Sequence, residues 1–99
     1  GARACDLFHA ARRDMAERDA ATRGAHVGHS TGIALHENPR LQAIDETVLE
    51  AGMVIASEPL IVDAGECVYH LEDLVLVTGG APELLSDRTD TRALIGIAA

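Results

Sequence analysis

The sequence predicts an α+β domain in which one helix covers an antiparallel sheet. Three observations carry that expectation. Residues 2–22 hold an amphipathic repeat of three and four. Everything after them is cut into short apolar runs bounded by glycine and proline. The hydrophobic residues, 47% of the chain, include one Phe, one Tyr and no Trp, so any core is aliphatic. A length of 99 residues is room for one small domain, or for part of a larger one.

In the helix, Ala4, Leu7, Phe8, Ala11 and Met15 form the apolar stripe. Arg12, Arg13, Asp14, Glu17 and Arg18 fill the other face, and Gly24 is the expected stop. Residues 28–37, rich in Gly, Ser, Thr and His, read as a loop feeding a short strand through Ile33, Ala34 and Leu35. Asn38-Pro39 is expected to break it. After a stretch of mixed polarity from Leu41 to Glu50, Ala51-Gly52 makes a turn. Met53 to Ser57 then reads as a buried strand by its length and flanks, and it ends at Glu58-Pro59. Asp63 to Glu66 is a turn, Cys67 to Thr78 is the strongest strand, and Gly79-Gly80 closes it. Glu83-Leu84-Leu85 and Leu94 to Ile97 are expected as two short terminal strands around a polar loop.

Charge narrows the function. Eight basic residues against sixteen acidic ones give a formal charge of −8. That leaves no cationic footprint for nucleic acid, and an anionic membrane surface would repel the chain. The longest strongly apolar runs, such as Leu74 to Val77, fall far short of the ~20 residues of a membrane span. The Arg- and Asp-studded start is not a signal peptide. Cys5 and Cys67 are too few for a disulfide scaffold, so reduced thiols in the cytoplasm are expected. The chain starts at Gly1 without Met and enters its helix almost at once, as a piece cut from a longer polypeptide would.

The informative anomaly is the placement of carboxylates. Glu58 ends one apolar run, and Glu72 and Asp73 interrupt another. An unpaired ionised carboxylate costs several kcal/mol to bury, so each needs a cation. Period-two alternation puts Glu72 on one face with Val68, His70, Leu74 and Leu76, and Asp73 on the other with Tyr69, Leu71 and Val75. Two readings are open: an ion pair with one of the arginines, or a metal held with His29 or His36. One imidazole with two carboxylates suits Mn²⁺, Fe²⁺, Co²⁺ or Zn²⁺ better than Mg²⁺.

Gly28-His29-Ser30-Thr31-Gly32-Ile33 followed by Leu35-His36-Glu37-Asn38-Pro39-Arg40 resembles the Gly-His-Gly-Ile-Gly…His-Glu-x-Pro stretch of the pita-bread metallopeptidases. That family includes methionine aminopeptidase, aminopeptidase P, prolidase and creatinase. The resemblance continues in order through Leu49-Glu50-Ala51-Gly52-Met53-Val54, Ser57-Glu58-Pro59, the run from Leu71 to Thr78, and Glu83-Leu84-Leu85-Ser86. Each motif is weak alone. Their order and spacing over more than half the chain make the resemblance specific.

The resemblance implies the C-terminal half of a pita-bread catalytic domain spanning residues 1–99, with the motif-bearing sheet over about 28–99 and an N-terminal portion missing. It implies a hydrolase with two divalent ions, manganese first, with cobalt, zinc or iron as alternatives. His29, Glu58 and Glu72 would be metal ligands, with Glu72 bridging the ions. Glu58 would also take the proton of the attacking water, and His36 would stabilise the oxyanion of the intermediate. His36 and His70 would contact a small peptide or amide. His9 and His26 read as surface residues, Asp73 as structural and Tyr69 as packing.

The sequence departs from the family in four places, the mildest being Ser30-Thr31 where the family has Gly-Ile. Two Asp ligands that the family carries upstream of the His have no match here, so the chain alone is expected to be inactive. The further His that proline-specific members carry four residues before the ligand is Ala25, with His26 three before instead. Where those members have an Arg two residues before the bridging Glu, this chain has His70. The implied activity is an Xaa-Pro aminopeptidase or dipeptidase. A creatinase-like hydrolase of other C–N bonds and a non-catalytic binding domain are the alternatives. Half of a curved sheet leaves an apolar edge and face, so a homodimer or dependence on the missing half is expected.

Overall fold

The computed structural model describes residues 1–62, 67–87, 92–93 and 96–98. Helix α1 spans Ala4–Glu17, shorter than the amphipathic pattern suggested. Its end is a Schellman turn: the Ala20 amide donates to the Met15 carbonyl at 2.9 Å and the Asp19 amide to the Ala16 carbonyl at 3.2 Å. Asp19 holds the left-handed position that glycine usually takes, with φ 54°. The chain then continues as a strand, so Gly24 stops nothing helical.

The start of α1 is held by the loop that follows the third strand. The Ala4 amide donates to the Thr47 carbonyl at 2.9 Å and the Cys5 amide to the Asp45 carbonyl at 2.8 Å. Two orphan donors of the first turn are thereby satisfied by backbone. The Arg3 amide donates to the Asp6 carboxylate at 2.9 Å. The Arg3 guanidinium, and then that amide, hold the Asp6 carboxyl below the usual carboxylate range.

Among the described residues eight strands follow: β1 (Ala21–Arg23), β2 (His26–Ser30), β3 (Glu37–Gln42), β4 (Val54–Ser57), β5 (Leu60–Val62), β6 (Val68–His70), β7 (Asp73–Leu76) and β8 (Glu83–Leu84). They form two antiparallel sheets, one ordered β1-β5-β6 and the other β3-β2-β4-β7-β8. The two sheets share three chain crossings. β1 passes to β2 at Gly24-Ala25, β4 to β5 at Glu58-Pro59, and β6 to β7 at Leu71-Glu72. Three neighbouring strands therefore bend at one level, which becomes the site.

Those crossings correct three expectations. Cys67 to Thr78 is two strands in different sheets, so a single alternation of faces does not run through Glu72. Residues 28–37 begin inside β2 rather than as a loop, and Ile33 to Leu35 belong to a bend. Asn38-Pro39, a cis peptide, lies within β3. An edge strand tolerates proline because one row of its backbone groups has no partner strand. Asn38 and Pro39 are also unmatched in the register, which steps from His29↔Arg40 to Ser30↔Glu37. Of the expected terminal strands, Glu83–Leu84 forms β8, and Gly96 and Ile97 have no regular structure. The turn at Asp63–Glu66, and Leu94 and Ile95 of the last expected strand, lie outside the described residues.

The core lies between α1 and the larger sheet: Ala4, Val27, Leu41, Leu49 and Ile55 are buried, with Phe8, Ala11, Met53 and Val77 packed on them. It is aliphatic apart from Phe8, as the composition requires. Each fully buried Val, Leu or Ile contributes roughly 1.5–3 kcal/mol. Gly28 lets β2 lie close to β4, since a Cβ there would meet the Ala56 carbonyl and come within 2.9 Å of Leu41 Cδ1.

Candidate metal site

The bend gathers imidazoles around one carboxylate. Glu58 follows β4, and its amide donates to the Val27 carbonyl at 2.9 Å, which fixes the crossing against β2. Its side chain is 11% exposed. Oε1 lies 3.0 Å from His29 Nε2 and 3.8 Å from His26 Nδ1, and Oε2 lies 3.1 Å from His70 Nε2. The partners of Glu58 among the described residues are thus histidines, and the arginine ion pair held open by the sequence is not its arrangement here.

His29 sits in β2 opposite Ala56 of β4 and is only 2% exposed. Its Nδ1 is 2.9 Å from the Ser30 carbonyl oxygen, which can only accept, so Nδ1 carries the hydrogen. In a neutral ring, Nε2 then turns a lone pair toward the Glu58 oxygen. Two acceptors at 3.0 Å need a proton between them or a cation bound by both. The donor set fits a cation: two ligands on one ion at bonds of roughly 2.0–2.2 Å lie about 3 Å apart.

Two groups of three possible ligand atoms lie within 4.8 Å of one another among the described residues. One is His29, His36 and Glu58, and the other is Glu58, His70 and Glu72. Glu58 belongs to both. His36 stands at the end of the 31–36 bend, its ring centroid 4.2 Å from that of His29. That bend is closed by Glu37, whose Oε1 accepts the Ala34 amide at 2.8 Å. Glu72 joins Glu58 and His70 and not the His29 group. Register explains the pairing: Ser57 opposes Asp73 and Leu60 opposes His70, so Glu58 and Glu72 share a level across the bend.

The other singled-out residues divide. Asp73 accepts a hydrogen bond from Ser86 Oγ at 2.6 Å, and that hydroxyl accepts the Leu74 amide at 3.1 Å, tying β7 to the segment after β8. Tyr69, expected to pack, is 52% exposed. His26 is the residue that sequence reasoning misplaced. It is half-buried beside Glu58, with its ring centroid 6.2 Å from that of His29 and its Nδ1 buried without a hydrogen-bond partner. An odd separation puts strand residues on opposite faces. The register shift between His26 and His29 reverses that parity, and nothing in the sequence signals it.

The sequence profile of metallopeptidase family M24 matches residues 1–79. The chain belongs to that family. Among relatives of this M24 chain, an Xaa-Pro dipeptidase of Pyrococcus furiosus is 46% identical over 59 residues, which is 59% of this chain and 17% of that protein. The solved structure of dipeptidase PepE from Mycobacterium ulcerans superposes with a TM-score of 0.79 at 32% identity, covering 90% of this chain and 24% of its own. Prolidase from Pyrococcus furiosus gives 0.75 at 33%, covering 91% and 27%. The α+β architecture, one helix against antiparallel sheets, is therefore the pita-bread arrangement. The chain spans about a sixth of the dipeptidase's length and about a quarter of each structure.

Proposed function

We propose that this chain is the C-terminal part of the catalytic domain of a metal-dependent peptidase of the Xaa-Pro dipeptidase or aminopeptidase type, inactive by itself. The observation that carries the reading is the cluster at the bend: a nearly buried carboxylate faced by His29 at 3.0 Å and His70 at 3.1 Å, with His36 and Glu72 within ligand reach. His29, Glu58 and Glu72 are the metal ligands in this reading. Manganese is the first choice, with cobalt, zinc or iron as alternatives, because the donors mix imidazole and carboxylate.

Bound divalent ions supply Lewis-acid activation of water and of the scissile carbonyl. The chain's own residues do the rest. Glu58 takes the proton of the attacking water and passes it to the leaving amine. His36, exposed at the end of its bend, donates to the oxyanion that develops on the carbonyl. His70 meets the substrate from the other side of Glu58. The substrate is a small peptide.

Two thiols, Cys5 buried and Cys67 exposed, fit work in the cytoplasm. Among the described residues no helix is long and apolar enough to cross a membrane.

His70 in the place of the family's arginine favours a second reading, hydrolysis of a creatine-like C–N bond, because a titratable imidazole is a poor substitute for a bidentate guanidinium. The test is an assay of the metal-loaded polypeptide that carries this segment together with the rest of its catalytic domain. Release of proline from an Xaa-Pro dipeptide, lost in Glu58→Gln, is the expected result. Turnover of a creatine-like substrate instead moves the assignment to the second reading. Bound metal with neither activity makes this a binding domain.

A further inference from the structure

We propose that Arg23 reads the carboxylate of the substrate: its guanidinium reaches across Leu60 to the mouth of the site and holds the free C-terminus of a dipeptide. The inference rests on the Xaa-Pro dipeptidase reading and names what selects the substrate. A dipeptide differs from a longer peptide by the carboxylate on its leaving residue. That group is planar and always negative at neutral pH. Arginine answers it with a fork of donors that is always positive, which the histidines around Glu58 do not offer.

Strand register places Arg23 for this task. In the smaller sheet Arg23 opposes Leu60 of β5, and Leu60 opposes His70 of β6. Directly opposed residues project from one face, so the three form a single row. His70 identifies that face, because its Nε2 lies 3.1 Å from Glu58 Oε2. Thr22, the preceding residue, belongs to the opposite face, where its hydroxyl oxygen is buried. Two strand spacings, about 10 Å, separate the backbones of Arg23 and His70. The aliphatic stem of an arginine laid over half-buried Leu60 covers most of that gap.

Charge argues the same way. Arg3 is paired with Asp6 at 3.0 Å, Arg18 with Asp14 at 3.1 Å, and Arg12 donates to the Thr22 carbonyl at 3.3 Å. Arg23 is exposed, and among the described residues no acidic group pairs with its guanidinium. The next row on its face, Ala21, Val62 and Val68, is apolar and offers no competing carboxylate. An unpaired guanidinium beside the site, in a chain of net charge −8, is available to a ligand.

The experiment compares an Xaa-Pro dipeptide with its C-terminal amide as substrates. The enzyme is the metal-loaded polypeptide that carries this segment together with the rest of its catalytic domain. The wild type should prefer the dipeptide by roughly tenfold or more, the worth of hydrogen bonds between charged groups. Arg23→Gln should bring that preference near parity, through KM rather than kcat. Arg23→Lys keeps the charge and loses the fork, so it should fall between the two. Calorimetric binding of free proline against prolinamide repeats the comparison without turnover. Since Arg23 is exposed, both of its variants should keep the wild-type circular dichroism. Arg40→Gln is the control, because Arg40 stands opposite His29 in the larger sheet. Full preference for the dipeptide in Arg23→Gln, or its loss in Arg40→Gln instead, overturns the inference and leaves the peptidase reading standing. A wild type that cleaves both substrates equally does the same. A wild type that cleaves neither overturns the peptidase reading itself, and this inference with it.

Discussion

Three side chains from two other strands converge on the two oxygens of Glu58. Glu58→Gln keeps the volume and removes the charge, so cation binding should weaken by about 100-fold or more, given that even residues supporting a ligand are worth 10–100-fold. Calorimetric titration with Zn²⁺ reads this directly, and unchanged affinity would remove Glu58 from the ligand set. Asp45 gives a residue-scale prediction for stability. Its carboxylate accepts the Arg40 amide at 2.9 Å and the Thr47 amide at 3.0 Å, while its carbonyl caps α1. Hydrogen bonds from Thr47, then from Arg40, hold its carboxyl below the usual range. A lowered folded-state pKa means that the unfolded chain takes up the proton first. The contribution is therefore present above the ordinary carboxylate value, about pH 4, and is lost as pH falls through the lower folded value. Asp45→Ala should cost about 1 kcal/mol near neutral pH in urea unfolding and flatten the loss of stability below about pH 4. An acid limb as steep as that of the wild type would refute this account. At this scale the sequence was legible where a side chain's role follows from its type. Glu58 and Glu72 stand out as carboxylates in apolar runs, and His29 through its glycine-flanked motif. His26 was illegible because a bulge decided its direction.

Elements were legible where pattern and chain direction agree, and misread where a small device turns the chain. The stripe through Ala4, Phe8 and Ala11 identifies α1, but its end is set by Asp19 at φ 54°, a position marked in sequence only when glycine fills it. Asp19→Gly should stabilise the chain by roughly 0.5–1 kcal/mol, since glycine adopts that conformation without steric cost. A thermal midpoint that falls instead would show that the Asp19 side chain contributes more than its backbone costs. The run from Cys67 to Thr78 is uniformly strand-like, and only its partners reveal the break. Leu71-Glu72 bends because Glu58-Pro59 and Gly24-Ala25 bend beside it, and cross-strand agreement of that kind is invisible in a single sequence. Gly28 tests the coupling of element to site. Gly28→Ala drives a methyl into the Ala56 carbonyl and Leu41, so β2 must move off β4 beside His29. The expected cost is about 1–3 kcal/mol together with a weaker cation site. Loss of stability with intact Zn²⁺ affinity would show that the His29–Glu58 distance does not depend on the seating of β2.

For the whole molecule, the two faces of the larger sheet differ in what they leave open. The bend carries the polar cluster, while the side toward α1 holds an apolar trough of about 610 Å³ walled by residues such as Leu7, Ala11, Leu49, Val75 and Val77. One helix of fourteen residues is too short to fill the space above five strands. The edge strand β8 adds Leu84, 46% exposed, next to Leu85 at 42%. The resemblance foreshadowed part of this, because half of a curved sheet leaves an apolar edge and face. Where that apolar surface lies depends on topology, which left β8 at an edge. Apolar surface and an unpaired strand edge together drive association. The 99-residue chain should therefore sediment as concentration-dependent oligomers, despite the repulsion of a net charge of −8. Leu84→Lys places a charge on the exposed edge and should shift the distribution toward monomer without changing the circular dichroism. If the wild type sediments as a monomer at every concentration, the trough and the edge are tolerated in water and the self-association argument fails. If Leu84→Lys leaves the oligomer intact, association runs through the trough rather than through β8.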